Sequence, residues 1–184
     1  MLVAGVASLL FGCEPPERPA APAEPAPGDI LLRPQSQLPA LQSQWPEGTV
    51  GQSVYVPVYS QLVMTTARRS YPLTANVVVH NTDPDTPITV MSARYYGNGG
   101  GLITEFLEAA KLLQPLSSAT LVVEQLDREG GIGANFLIDW RADSVVSLHA
   151  IEAVMIGESG PQAVSFVSRG RVIREYPGTT VPDS

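Results

Sequence analysis

Asn81, Asp83 and Asp85 stand at alternate positions in "NTDPD", and side-chain oxygens spaced in this way are what a loop uses to ring a hard cation such as calcium. The central glycine and the late bidentate glutamate of an EF-hand are missing. Asp and Asn beside Pro84 and Pro87 also suit an ordinary turn after a strand. The turn is the favoured reading: no metal is assigned, and these three residues are the candidate ligands. The two histidines, His80 and His149, would have to meet each other and carboxylates such as Asp83 or Asp139 to hold zinc, and their spacing does not bring them together. Serines are many, but no G-x-S-x-G elbow presents one as a nucleophile, so no catalytic residue is assigned. "SRGRVIRE" offers cations instead. On one strand Arg169 and Arg171 would point the same way and could hold a carboxylate or a phosphate, the ordinary alternative being a solvated strand face. "GGIGAN" opens a strand rather than a helix, so Gly130, Gly131 and Gly133 read as a glycine turn rather than a phosphate loop, with close approach of a ligand to their backbone as a second use.

Cys13 is the lone cysteine, which rules out an internal disulfide and a cysteine metal cage and leaves modification as its chemistry. The uncharged run before it, "LVAGVASLLFG", is too short to span a bilayer and has the length of an export signal's apolar region. "LFGC" resembles the lipobox of bacterial lipoproteins: Leu10, Gly12 and Cys13 match, and Phe11 is a less usual neighbour. The resemblance implies a diacylglycerated thiol, cleavage before the cysteine and an acylated new amino terminus. No Lys or Arg precedes the apolar run, as a signal should have, which suggests a start further upstream. Beyond Cys13 the chain turns to Pro and Ala, and more than half of its 17 prolines precede residue 50. Such a segment has little apolar surface to bury and reads as an extended tether, with "ILLRPQSQLPALQSQW" its more apolar, semi-ordered part.

The elements that must position any site follow the tether. The formal charge of -7, from 11 Lys and Arg against 18 Asp and Glu, excludes a nucleic-acid partner. From Ser53 onward about eight short runs rich in Val, Ile, Tyr and Phe alternate with turn residues, the pattern of an all-β chain. Leu73, Ala75, Val77 and Val79 share one face of a strand; so do Ala134, Phe136, Ile138 and Trp140, with Asn135, Asp139 and Arg141 on the other. Pro57 marks its strand as an edge, and "EFLEAAKLLQPL" allows at most a turn or two of helix. A two-sheet antiparallel sandwich, immunoglobulin-like, is the expected fold, with a jelly roll or small barrel as the alternative. The blocks "YVPVYS", "LTANVVVHNTDPDTPITV", "VVEQLDREGGIGANFLIDWRA", "IEAVMIG" and "VSFVSRGRVI" resemble the uncharacterised bacterial family of domain of unknown function 3124. The resemblance implies exported or envelope-associated proteins and carries no catalytic residues over.

The organisation expected is therefore a signal peptide over 1–12, a lipidated Cys13 and tether over 13–52, a sandwich over 53–176 and a tail over 177–184. The function expected is that of a cofactor-free, non-enzymatic envelope lipoprotein. It would be bound to a membrane by its lipid, would face the periplasm or the exterior, and would meet an envelope protein partner. A calcium or small-molecule binder is the first alternative, and an envelope hydrolase the second.

Overall fold

The computed structural model describes residues 30–32, 49–63, 70–125, 129–159 and 162–176. Cys13, the residues read as signal peptide and as C-terminal tail, and most of those read as tether lie outside them. The described residues contain strands and no helix. In chain order these are β1 (Ile30–Leu32), β2 (Val50–Pro57), β3 (Gln61–Val63), β4 (Ser70–Pro72), β5 (Thr74–His80), β6 (Ile88–Tyr96) and β7 (Leu102–Glu105). They continue as β8 (Lys111–Leu113), β9 (Ser118–Val123), β10 (Asn135–Ala142), β11 (Ala150–Ser159), β12 (Gln162–Arg169) and β13 (Arg171–Tyr176). One sheet has the order β1-β9-β5-β11-β12; the other runs β13-β2-β10-β6-β7, with β8 also on β6, and β3 and β4 form a small hairpin. All pairs are antiparallel except β1 with β9. Neither large sheet closes on itself, so the fold is the all-β sandwich that the alternating runs anticipate.

Period-two patterning explains the layering. Ala75, Val77 and Val79 of β5 and Ala153 and Met155 of β11 turn inward from the first sheet; Val54, Val56, Phe136, Ile138, Ala93 and Tyr95 turn inward from the second. They form one apolar core. Its centre is aromatic, with the Phe136 ring 5.0 Å from both Tyr95 and Phe106. Full burial of such a ring is worth roughly 1.5–3 kcal/mol, which lets a domain of this size stand without disulfides.

Three expectations change. Pro57 does not make β2 an edge: β2 lies between β13 and β10, but β13 reaches only Tyr55, so Pro57, at the end of β2, has no donor to supply on that side. Residues 105–116 form no helix. Lys111–Leu113 pairs with Val90–Ile88, and complete burial of Leu113 overrides the local helix preference of Leu, Ala and Lys. The one strand expected to carry both Arg169 and Arg171 is two strands, because the chain leaves one sheet at Arg169 and joins the other at Arg171. The sandwich also starts earlier than Ser53, at Val50, and β1 lies within the stretch read as tether.

Gly170 makes that crossing. Its N–H donates to Ile151 O at 2.8 Å, and a Cβ there would meet Val54 Cγ1 at 2.7 Å and Ile151 O at 2.8 Å. Backbone and core side chain leave no room for a methyl group. Gly170→Ala is expected to cost about 1–3 kcal/mol of unfolding free energy by overpacking, read from urea denaturation; an unchanged midpoint would show that the crossing tolerates a side chain.

Candidate functional site

The outward face of the second sheet carries most of the polar chemistry. In β10, Asp139 faces outward, where a strand residue usually meets water, yet it is only 2% exposed. Its register neighbours are Ser53 of β2 and Ser92 of β6. Ser53 donates its hydroxyl to Asp139 Oδ1 at 2.5 Å, and Ser92 donates to Oδ2 at 2.8 Å. Arg94, also on β6, pairs with Oδ2 at 2.5 Å. Regular alternation along β10 turns Trp140 inward and Asp139 outward; the register shift falls on β6, where the extra residue Met91 lets Ser92 stand opposite Asp139 and Val90 opposite Trp140. The network reaches β13 through the Tyr176 hydroxyl, 3.4 Å from Ser53 Oγ and 3.4 Å from Arg174 Nη1. Neither histidine joins this cluster, so it holds no Ser-His-Asp triad.

The Asn81–Asp85 loop is a turn in which the side-chain oxygens of Asn81 and Asp83 are already engaged, while Asp85 is exposed. Asn81 Oδ1 accepts the N–H of Asp83. Asp83 Oδ1 accepts the N–H groups of Asp85 and Thr86 at 3.0 and 2.8 Å, and Oδ2 accepts that of Ser147 at 2.9 Å. These backbone donors hold the Asp83 carboxyl down to about 2. Asn81 donates its amide to Thr86 O and Gln114 O. Among the described residues no group of three His, Cys, Asp or Glu side chains could hold a metal. His80 ends β5, whereas His149 stacks edge-on against Trp140 at 4.2 Å between ring centres. Both of its nitrogens are buried without a hydrogen-bond partner. Burial lowers its pKa to about 4, against the pull of nearby Asp83. Asp139 belongs to the other cluster, so the zinc set does not assemble.

The arginine reading is corrected. Arg169 and Arg171 do not share a strand, because the Gly170 crossing puts them in different sheets: Arg169 stands opposite Glu152 and Arg171 opposite Tyr55. The partner of Arg171 on its own face is Arg174, opposite Ser53, after a register shift at Ile173. A bulge lets residues three apart point the same way, which residue spacing alone does not reveal. The glycine turn packs on protein: Gly131, at φ 69°, would place a Cβ 2.9 Å from Asn98 Oδ1, and its carbonyl accepts the Ser60 hydroxyl at 2.6 Å.

Glu105 is the remaining buried acid. Its Oε1 accepts the N–H groups of Ala93 and Leu107, while Oε2 has no partner. Desolvation raises its pKa above the usual carboxylate range despite those donors.

Two measurements follow from this geometry. Asp139→Ala strands Arg94 and two hydroxyls and is expected to cost about 3 kcal/mol, against about 1 kcal/mol for Ser53→Ala, both by urea titration; equal small losses would mean that water replaces the carboxylate. Acid titration of the melting temperature should show a fall between pH 6.5 and about 4, where the unfolded chain protonates its histidine and folded His149 does not. A second fall, between 3.8 and about 2, comes from Asp83, whose contribution is present above the first value and lost at the second. His149→Phe should abolish the upper fall and Asp83→Asn the lower.

A search of curated proteins finds no match. Among solved structures, the chain is similar to the crystal structure of Thermotoga maritima 1070, with 7% sequence identity and a TM-score of 0.41 over 65% of this chain and 92% of that one. The family model described as protein of unknown function, DUF3124, matches residues 51–173, from β2 to the bulge of β13, and the chain belongs to that family.

Proposed function

We propose that the chain is a bacterial envelope lipoprotein, anchored through Cys13 and carrying its sandwich as a non-enzymatic interaction or structural module. The observation that carries the reading is the order of composition: an uncharged apolar run, "LFGC", a Pro- and Ala-rich stretch and then a domain whose sandwich resumes at Val50. A single acyl chain binds a bilayer marginally, whereas two or three hold durably, so triacylation at one cysteine is sufficient anchorage. The polar clusters support an interaction role over catalysis. Asp139 is saturated by Ser53, Ser92 and Arg94, and Asp83 by backbone N–H groups. His149, held neutral against Trp140, contacts no hydroxyl. These groups hold loops and strands in place and leave no poised base beside a nucleophile.

Mass spectrometry of the protein from bacterial membranes tests this directly. The expected result is an N-terminal Cys13 bearing acyl mass and a protein that stays with the membrane through a high-salt wash, while Cys13→Ser is released. An unmodified Cys13 in a chain recovered from the soluble fraction would overturn the proposal.

A further inference from the structure

The edge strand β13 joins exposed cations to exposed apolar surface. Arg171 and Arg174 lie on its outward face opposite Tyr55 and Ser53, and no ion pair to a carboxylate engages either among the described residues. Ile173, at the bulge between them, is 60% exposed. The loop joining β10 to β11 abuts the far end of the strand. It lines an open cleft of about 270 Å³ together with Val50, Trp140, Glu175 and Tyr176, its own contribution including Val145 and Leu148. Val145 and Leu148 are 86% and 80% exposed. The loop is pinned rather than loose, since Ser147 N–H donates to Asp83 and Leu148 O accepts the Thr82 hydroxyl at 2.6 Å.

Two exposed arginines without a carboxylate ion pair among the described residues, of which Arg174 donates only to the Tyr176 hydroxyl, form a local cationic spot that selects an anionic partner by charge. The aliphatic residues then select among anionic partners. Val145 and Leu148 stand almost fully exposed in the loop after β10, as isolated aliphatic side chains beside the arginine-bearing strand, a combination suited to entering an anionic headgroup layer. We propose that this edge docks on an anionic lipid membrane, with Arg171 and Arg174 at the phosphates and Val145, Leu148 and Ile173 at the boundary between headgroups and acyl chains. The proposal deepens the envelope reading and rests on it for its setting. A tethered domain needs only a weak surface of this kind, because the anchor keeps membrane and edge at high effective concentration.

The test uses the full chain carrying Cys13→Ser, so that no lipid is attached, sedimented with vesicles of equal parts phosphatidylglycerol and phosphatidylcholine, and with phosphatidylcholine alone. Binding to the mixed vesicles that weakens with salt and is absent from the neutral ones is expected. Arg171→Glu with Arg174→Glu should weaken it at least about tenfold. Val145→Ser with Leu148→Ser should weaken binding while keeping its salt dependence. All four side chains are exposed, and thermal melting confirms that each variant is folded. No sedimentation with the mixed vesicles at low salt, or equal binding by the charge-reversed variant, would overturn the proposal, as would salt-sensitive binding of this edge to a soluble acidic protein in place of vesicles. Acyl mass on native Cys13 without vesicle binding removes the docking surface and leaves the anchor. Vesicle binding without acyl mass removes the anchor alone.

Discussion

A carboxylate on the outward side of a sheet is ordinarily left to water, and removing Asp139 from water obliges its two neighbouring strands to supply what water would have given. Ser53 from β2, Ser92 and Arg94 from β6 can do so only in one register, since a slip of one residue would turn each of them to the other face. The same register sets Phe136 beside Val56 and Tyr95, and Ile138 beside Val54 and Ala93. The outward ion pair and the aromatic core are thus fixed by one alignment, and the extra residue Met91 in β6 keeps Ser92 opposite Asp139 while Val90 stays opposite Trp140. Removing one partner of such a buried pair costs more than the pair itself contributes, so alternative alignments are disfavoured from both faces.

The remaining polar groups divide by position. Inside the fold or at its loops, Asp83, Asn81 and Glu105 accept or donate to backbone groups that the turns would otherwise leave unpaired, as buried polar atoms must. Asp83 in particular joins the turn after β5 to the loop before β11, so two chain connections move as one. Arg171 and Arg174, which have no carboxylate ion pair among the described residues, stand at the sandwich edge where the chain changes sheets. That crossing makes β12 and β13 edges of different sheets with a single glycine between them, and the bulge at Ile173 and the arginines are features that discourage edge-to-edge pairing of such strands.

Much of this was legible in the residues. The alternation in "TANVVVH" and "NFLIDW" marks the inward positions of β5 and β10 because period two is set by the pleat alone, and the turn chemistry of "NTDPD" matches the hydrogen bonds that Asn81 and Asp83 make. Local patterns did not reveal events decided by distant strands. Residues 111–113 read as helix formers until β6 recruits them, and Asp139 reads as a solvated position until Arg94 and two serines cover it. An aspartate amid "FLIDW" was the available signal, since Asp is disfavoured in strands without a specific partner. Gly170 looked like an interruption of one strand. The positions of Val54 and Ile151, which sequence order does not supply, make it a passage between two.

β1 carries one last consequence. Its three residues run parallel to Ala119–Leu121, on the edge of the first sheet, remote in the strand order from the β12 edge. On the proposed anchorage, Cys13 is separated from the sandwich by the span up to Ile30 and not by the span up to Val50. At roughly 3.3–3.6 Å per extended residue that leash is no longer than about 60 Å, and peeling three residues from β9 would let it out to about twice that length.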